Sequence, residues 1–109
     1  MGKTAIQAIE KMQAMEEKFG VSLEGLYAEY DDVDVDAKYI NVRGELIAKN
    51  GSGIPEDIEI VMTAYNANGQ VISMGSVYID SENFFGIAPF EFCQDIIEMP
   101  VKVRVYPKK

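Results

Sequence analysis

The chain has 109 residues, enough for one domain and too few for two, and with 48% hydrophobic residues it is foldable rather than disordered. Its net charge of −8 would repel a phosphate backbone and an anionic lipid surface, so we expect no nucleic acid among its partners. No apolar run is long enough to span a bilayer, so no membrane insertion is expected. If the chain is complete, the lack of a signal peptide and the single Cys93 predict a cytoplasmic location.

The first predicted element is an amphipathic helix over residues 4–19, part of the same domain as a β-sandwich over 20–109. Apolar side chains recur at three- to four-residue spacing, and Gly20 follows as a natural C-terminal stop. A helix of this length is marginal alone, so its apolar stripe must dock on its own sandwich or on a second subunit. The candidate interaction residues, which would serve a homodimer in the second case, are Ile9, Met12, Met15 and Phe19.

Six to seven strands are predicted after the helix. A short strand over 26–30 precedes the clearest one, over 39–49, in which apolar and polar residues alternate. Further strands are predicted over 57–65, 70–79, within 84–92 and at 101–106. Short strands with turn signals between them, and a helix placed before rather than between them, favour a mainly β fold: an antiparallel immunoglobulin-like β-sandwich preceded by one helix.

The strongest local signal is a β-hairpin between residues 58 and 79. Two β-rich runs meet at Asn68-Gly69, and Asn-Gly is typical of a two-residue type I′ turn, in which both central residues need positive φ. This signal indicates antiparallel pairing and carries no information about chemistry.

From residue 42 to 105 the chain resembles the bacterial FxLYD-type sandwich domains and is similar to the late-embryogenesis-abundant sandwich domains. The likeness lies in Val42-Arg43-Gly44 running to Asn50, in Tyr65-Asn66 with the Gly69-to-Ile72 hairpin, and in Phe90. The resemblance implies an immunoglobulin-like sandwich with a non-enzymatic role, and it supplies no catalytic residues.

The composition argues against an enzyme and against a cofactor. The chain has no histidine and one cysteine, which removes Ser-His and Cys-His nucleophilic sites and the usual zinc ligands. We therefore expect a structural or protein-interaction module that binds a protein partner or itself. Between Lys49 and Lys102 there are many carboxylates and no Lys or Arg, which indicates either a solubilising surface or an acidic face for a basic partner.

The alternative function is binding of a cation, calcium in particular, or of a small ligand by the acidic segment 31–36. Asp32, Asp34 and Asp36 alternate as hard oxygen ligands do in calcium loops, and they are the candidate metal ligands. The segment is not an EF-hand, because Ala37 and Arg43 stand where that loop needs Gly and Glu. The competing interpretation is an edge strand whose carboxylates prevent edge-to-edge pairing.

Overall fold

Eight strands and one short α-helix make up most of the computed structural model, which describes residues 2–49, 51 and 53–108. A 3₁₀ turn, Ser81–Asn83, lies between the sixth and seventh strands. In chain order the elements are β1 (Gly2–Ala5), β2 (Ile9–Lys11), α1 (Gln13–Phe19), β3 (Val21–Asp34), β4 (Ala37–Ala48), β5 (Ile58–Tyr65), β6 (Val71–Ile79), β7 (Ile87–Asp95) and β8 (Lys102–Lys108).

The strands form two four-stranded sheets, which we call sheet A and sheet B. Sheet A has the order β1-β3-β4-β7 and sheet B the order β2-β8-β5-β6. All pairs are antiparallel except β2 with β8, which is parallel. The predicted mainly β class with antiparallel strands is confirmed, and two stacked sheets fit a β-sandwich. The immunoglobulin-like classification stays a prediction.

The core lies between the sheets, and the two-residue period of the strands places it there. Along β4, buried residues alternate with exposed or half-buried ones, so one face of the strand is turned inward. On β7 the rings of Phe90 and Phe92 meet edge to face with centroids 5.8 Å apart. Large side chains that are fully buried include Leu23, Ile40, Leu46, Ile58, Ile60, Met62 and Phe92.

The predicted helix over residues 4–19 is wrong for its first nine residues. Only Gln13–Phe19 is helical, while the preceding residues supply β1 against β3 and β2 against β8. A sixteen-residue helix in water is only marginally stable by itself. The open edges of β3 and β8 offer unpaired backbone N–H and C=O groups, so pairing with them is the more stable arrangement for this segment. The Ile6 side chain is buried in the core, and its N–H donates to the Ala28 carbonyl at 2.9 Å. The predicted stop is confirmed: Gly20 caps α1 with φ of +68°.

The β5–β6 hairpin is confirmed, but its predicted type I′ turn is wrong. Gly69 has φ of +77°, whereas no non-glycine residue in the described ranges has positive φ, so Asn68 does not meet the type I′ requirement. The Gly69 N–H donates to the Asn66 carbonyl at 3.0 Å, which is the bond of an ordinary β-turn. The Asn66 carboxamide oxygen accepts from the N–H groups of Asn68 and Gln70, so a longer loop is stabilised instead.

Replacing Gly69 by valine should lower the free energy of unfolding by about 1 kcal/mol or more, because a β-branched residue resists positive φ. Urea denaturation would measure this change. Gly69→Asn is the matched control, since asparagine tolerates the left-handed region and should lose less. Equal stability of the valine variant and the wild-type protein would contradict this account of the loop.

Candidate functional site

Five exposed apolar residues lie at one end of the sandwich, where β3 turns into β4 and β7 leads to β8. We call this surface the apolar end; its residues are Val33, Val35, Ile97, Met99 and Val101. Val35 and Ile97 project furthest, with 87% and 79% of their surface exposed. Scattered exposed apolar residues are normal, but a cluster on neighbouring loops marks a contact surface.

Sheet pairing holds the two loops of the apolar end together. Tyr39 of β4 lies opposite Asp95 of β7, so the start of one strand is beside the end of the other. The Ile96 N–H then donates to the Lys38 carbonyl at 3.1 Å, which continues the pairing beyond the strand. The loops are therefore mounted on the rigid sheet rather than on a mobile linker.

A cleft of about 600 Å³ opens between these two loops. Its size falls in the range of ligand pockets, about 300–1,000 Å³. Apolar atoms of Val35 and Ile97 border it at the surface, while Asp36, Lys38 and Asp95 supply its charges. The remaining lining residues are Tyr39, Ile72 and Ile96.

Lys38 is already engaged within its own hairpin. Its ammonium donates to the backbone carbonyls of Asp34 and Val35, both at 3.1 Å, and lies 3.6 Å from a carboxylate oxygen of Asp32. The positive charge bordering the cleft therefore serves the β3–β4 turn, and the carboxylates of Asp36 and Asp95 give the cleft a negative character.

The structure brings the predicted metal ligands into one hairpin without directing them to a common point. Asp32 pairs with the Lys38 ammonium, and Asp34 accepts the backbone N–H of Asp36 at 2.7 Å. In the described ranges no group of three or more His, Cys, Asp or Glu side chains is arranged to hold a metal ion. Calcium binding stays a prediction that this geometry does not favour. The edge-strand interpretation is wrong for Asp31 and Asp32, which β1 covers, whereas residues 33–36 extend beyond β1 into the β3–β4 hairpin.

The predicted interaction stripe of the N-terminal segment packs largely on its own chain. Ile9 and Phe19 contact the core, and Met15 is half-buried. Met12 is the most exposed of the four candidates, at 37%. The helix α1 contacts β3 and β8 of the same chain, so this segment offers little surface to a second subunit.

The outer face of sheet B carries a charged network that sequence reasoning missed. Arg104 donates two bonds to one carboxylate oxygen of Glu10, at 2.9 and 3.0 Å, and a third to the Tyr65 hydroxyl at 3.1 Å. The Arg104 hydrogen bonds lower the pKa of Glu10 below its ordinary value. The cations of Lys102 and Arg104 also lie over the Tyr65 ring, at 4.7 and 5.2 Å from its centroid. These contacts bind β2, β8 and β5 together, which is a structural role.

Comparison of the chain with protein-family models, with curated proteins and with solved structures finds no match. The resemblance to FxLYD-type and late-embryogenesis-abundant domains therefore stays a prediction. Among the described residues, no helix combines the length and the apolar character that crossing a membrane requires.

Proposed function

We propose that this protein is a non-enzymatic interaction module that binds a segment of another protein at its apolar end. The observation that supports this most is the cleft at this end of the sandwich, which is bordered by the strongly exposed side chains of Val35 and Ile97. Burying the apolar surface of side chains such as Val35 and Ile97 is favourable by roughly 25 cal/mol per Å². Binding of a partner would bury this surface.

Charge favours a partner segment that is apolar and basic. The cleft has carboxylates at Asp36 and Asp95, while the ammonium of Lys38 is held by its own hairpin. The chain as a whole carries a net charge of −8, which would steer a basic segment towards it and repel an acidic one. The cleft has room for a few side chains, so the partner is proposed as a short segment that inserts apolar groups and places Lys or Arg at the rim.

The test uses short fluorescent peptides that alternate Leu with Lys, and a matched series with Glu in place of Lys. Fluorescence anisotropy should show binding of the Leu–Lys series to the wild-type protein and none of the Leu–Glu series. Val35→Lys and Ile97→Lys should each weaken binding of the Leu–Lys series about tenfold or more, since each loses apolar contact and places a charge that repels the peptide's lysines. Tyr78→Lys is the control, because it changes the net charge equally but Tyr78 is 74% exposed on β6, outside the apolar end.

Two results would contradict the proposal. Binding that all three lysine variants weaken equally would mean that the peptide is attracted by the net charge of the chain without using the apolar end. Failure of the Leu–Lys series to bind the wild-type protein would refute the proposed class of partner. Circular dichroism of each variant would show that the fold is retained, since the substituted side chains are exposed.

A further inference from the structure

The four outer strands of the two sheets differ sharply in how they are protected against pairing with another strand. β1 and β2 are short, with four and three residues, and each carries a lysine. β7 is nine residues long but contains Pro89, Glu91 and Asp95. β6 is equally long and has no charged residue and no proline. Charge, proline and shortness are the usual means of blocking an exposed edge, so β6 lacks all three.

The geometry around β6 leaves one side of the strand without a neighbour in its sheet. β5 pairs along its whole length on the other side, and among the described strands no further one joins sheet B beyond β6. Towards the interior, the Gln94 side chain lies against Gly75, and the Ser73 hydroxyl donates to the Asp95 carbonyl at 3.1 Å. These contacts close the gap between the sheets but add no strand to the edge. On the outer face Met74 and Tyr78 are 62% and 74% exposed.

We propose that β6 pairs antiparallel with β6 of a second copy of this chain, forming a two-fold dimer with one continuous eight-stranded sheet. Two identical edges are self-complementary in an antiparallel arrangement, since each presents the same alternating N–H and C=O groups. Gly75 is the central residue of β6, so a two-fold axis near it would bring the exposed Met74 side chains of both copies close together.

Charge selects β6 among the edges at which two copies could pair. Two molecules with a net charge of −8 repel one another, and the added repulsion is smallest where the contact surface has no carboxylates. An antiparallel β7–β7 pair would bring Glu91 and Asp95 of both copies into one short sheet region, whereas a β6–β6 pair brings none together. This inference does not rest on the proposed function, because the five residues of the apolar end all lie outside β6, of which only Ile72 lines the cleft.

The experiment measures association of the full chain by sedimentation velocity over a wide range of concentration. We expect a concentration-dependent dimer. Met74→Lys and Met74→Asp should each weaken dimerisation at least tenfold, because like charges would meet across the two-fold axis. An equimolar mixture of the two variants should recover most of the lost affinity, since the charges then attract. Ile87→Lys, at an exposed position on β7, is the matched control and should leave dimerisation unchanged.

Hydrogen exchange separates strand pairing from packing of the outer faces. If the edges pair, backbone amides of β6 should exchange more slowly as the dimer forms, with little change in β7. A chain that stays monomeric at the highest concentration overturns the proposal, and so does a dimer that Ile87→Lys breaks and Met74→Lys does not. A dimer with unchanged β6 exchange overturns it as well, because the contact would then be made by side chains alone.

Discussion

Replacing Gly44 by valine should lower the free energy of unfolding by about 3 kcal/mol, which is at the upper end for overpacking of a core. A Cβ atom on Gly44 would lie 2.6 Å from the Leu26 side chain and 2.8 Å from the ring of Phe90, both much closer than van der Waals contact. Only 3.3 Å separates it from a backbone oxygen of Glu24, so backbone movement offers little relief.

This crowding originates in a bulge of β3. Glu24 pairs with Glu45 and Tyr27 pairs with Arg43, so two residues of β3 lie opposite the single Gly44. Gly25 takes φ of +62° in the bulge, and the next residue, Leu26, covers the backbone of Gly44. A glycine in the centre of a strand costs stability by itself, and here the missing side chain makes room for Leu26.

Urea denaturation of Gly44→Val and Gly44→Ala would measure the effect, with alanine expected to lose less. Gly53→Val is the control, since nothing lies within 4 Å of a Cβ placed there, and it should change little. In a double-mutant cycle, Leu26→Ala should cost less in the Gly44→Ala background than in the wild-type protein, because it removes the clashing group. Strictly additive effects would contradict the proposed crowding.

The alternation of apolar and polar residues predicted a strand wherever the strand and its partner both show that alternation. In β4 and β8 the buried residues fall at every second position, and the hairpin between β5 and β6 forms where the Asn-Gly signal predicted it, although with a different turn. In the segment 4–12 the spacing of apolar residues predicted the wrong element. Its apolar spacing suits a helix, but its backbone is paired with β3 and β8, strands that lie far away in the sequence. Local periodicity contains no information about such edges.

The candidate site was even less accessible to sequence reasoning. Residues 94–100 lie between the strands predicted within 84–92 and at 101–106, and the exposure of Ile97 and Met99 depends on how β7 and β8 enter their different sheets. The one available signal was the presence of apolar residues in a predicted loop, where polar residues are expected. The bond between Glu10 and Arg104 joins positions 94 residues apart, so no spacing rule could have revealed it.

The buried carboxylate of Glu16 on α1 stabilises the end of β3 that β1 does not cover. Glu16 is 2% exposed, and one of its oxygens accepts the backbone N–H of Leu23 at 3.1 Å. β1 pairs with β3 only at positions 29–32, so the part of β3 around Leu23 has no strand on that side. The helix α1 supplies the missing hydrogen-bond acceptor there. The Lys11 ammonium, 3.5 Å away, balances the charge. The second oxygen of Glu16 is buried and has no hydrogen-bond partner among the described residues.

Glu16→Ala should therefore lower the free energy of unfolding by about 2 kcal/mol, because it leaves the buried Leu23 N–H without an acceptor. Glu16→Gln keeps an acceptor oxygen and loses only the attraction to Lys11, so it should lose about half as much. Glu17→Ala, on the exposed side of the same turn, is the control and should change stability little.

Urea denaturation gives the free energies of unfolding, and hydrogen exchange of the Leu23 amide shows whether the helix has left the sheet. If the alanine variant is as stable as the wild-type protein while that amide stays protected, another acceptor has replaced Glu16. The helix would then be held by Phe19 and its apolar contacts alone.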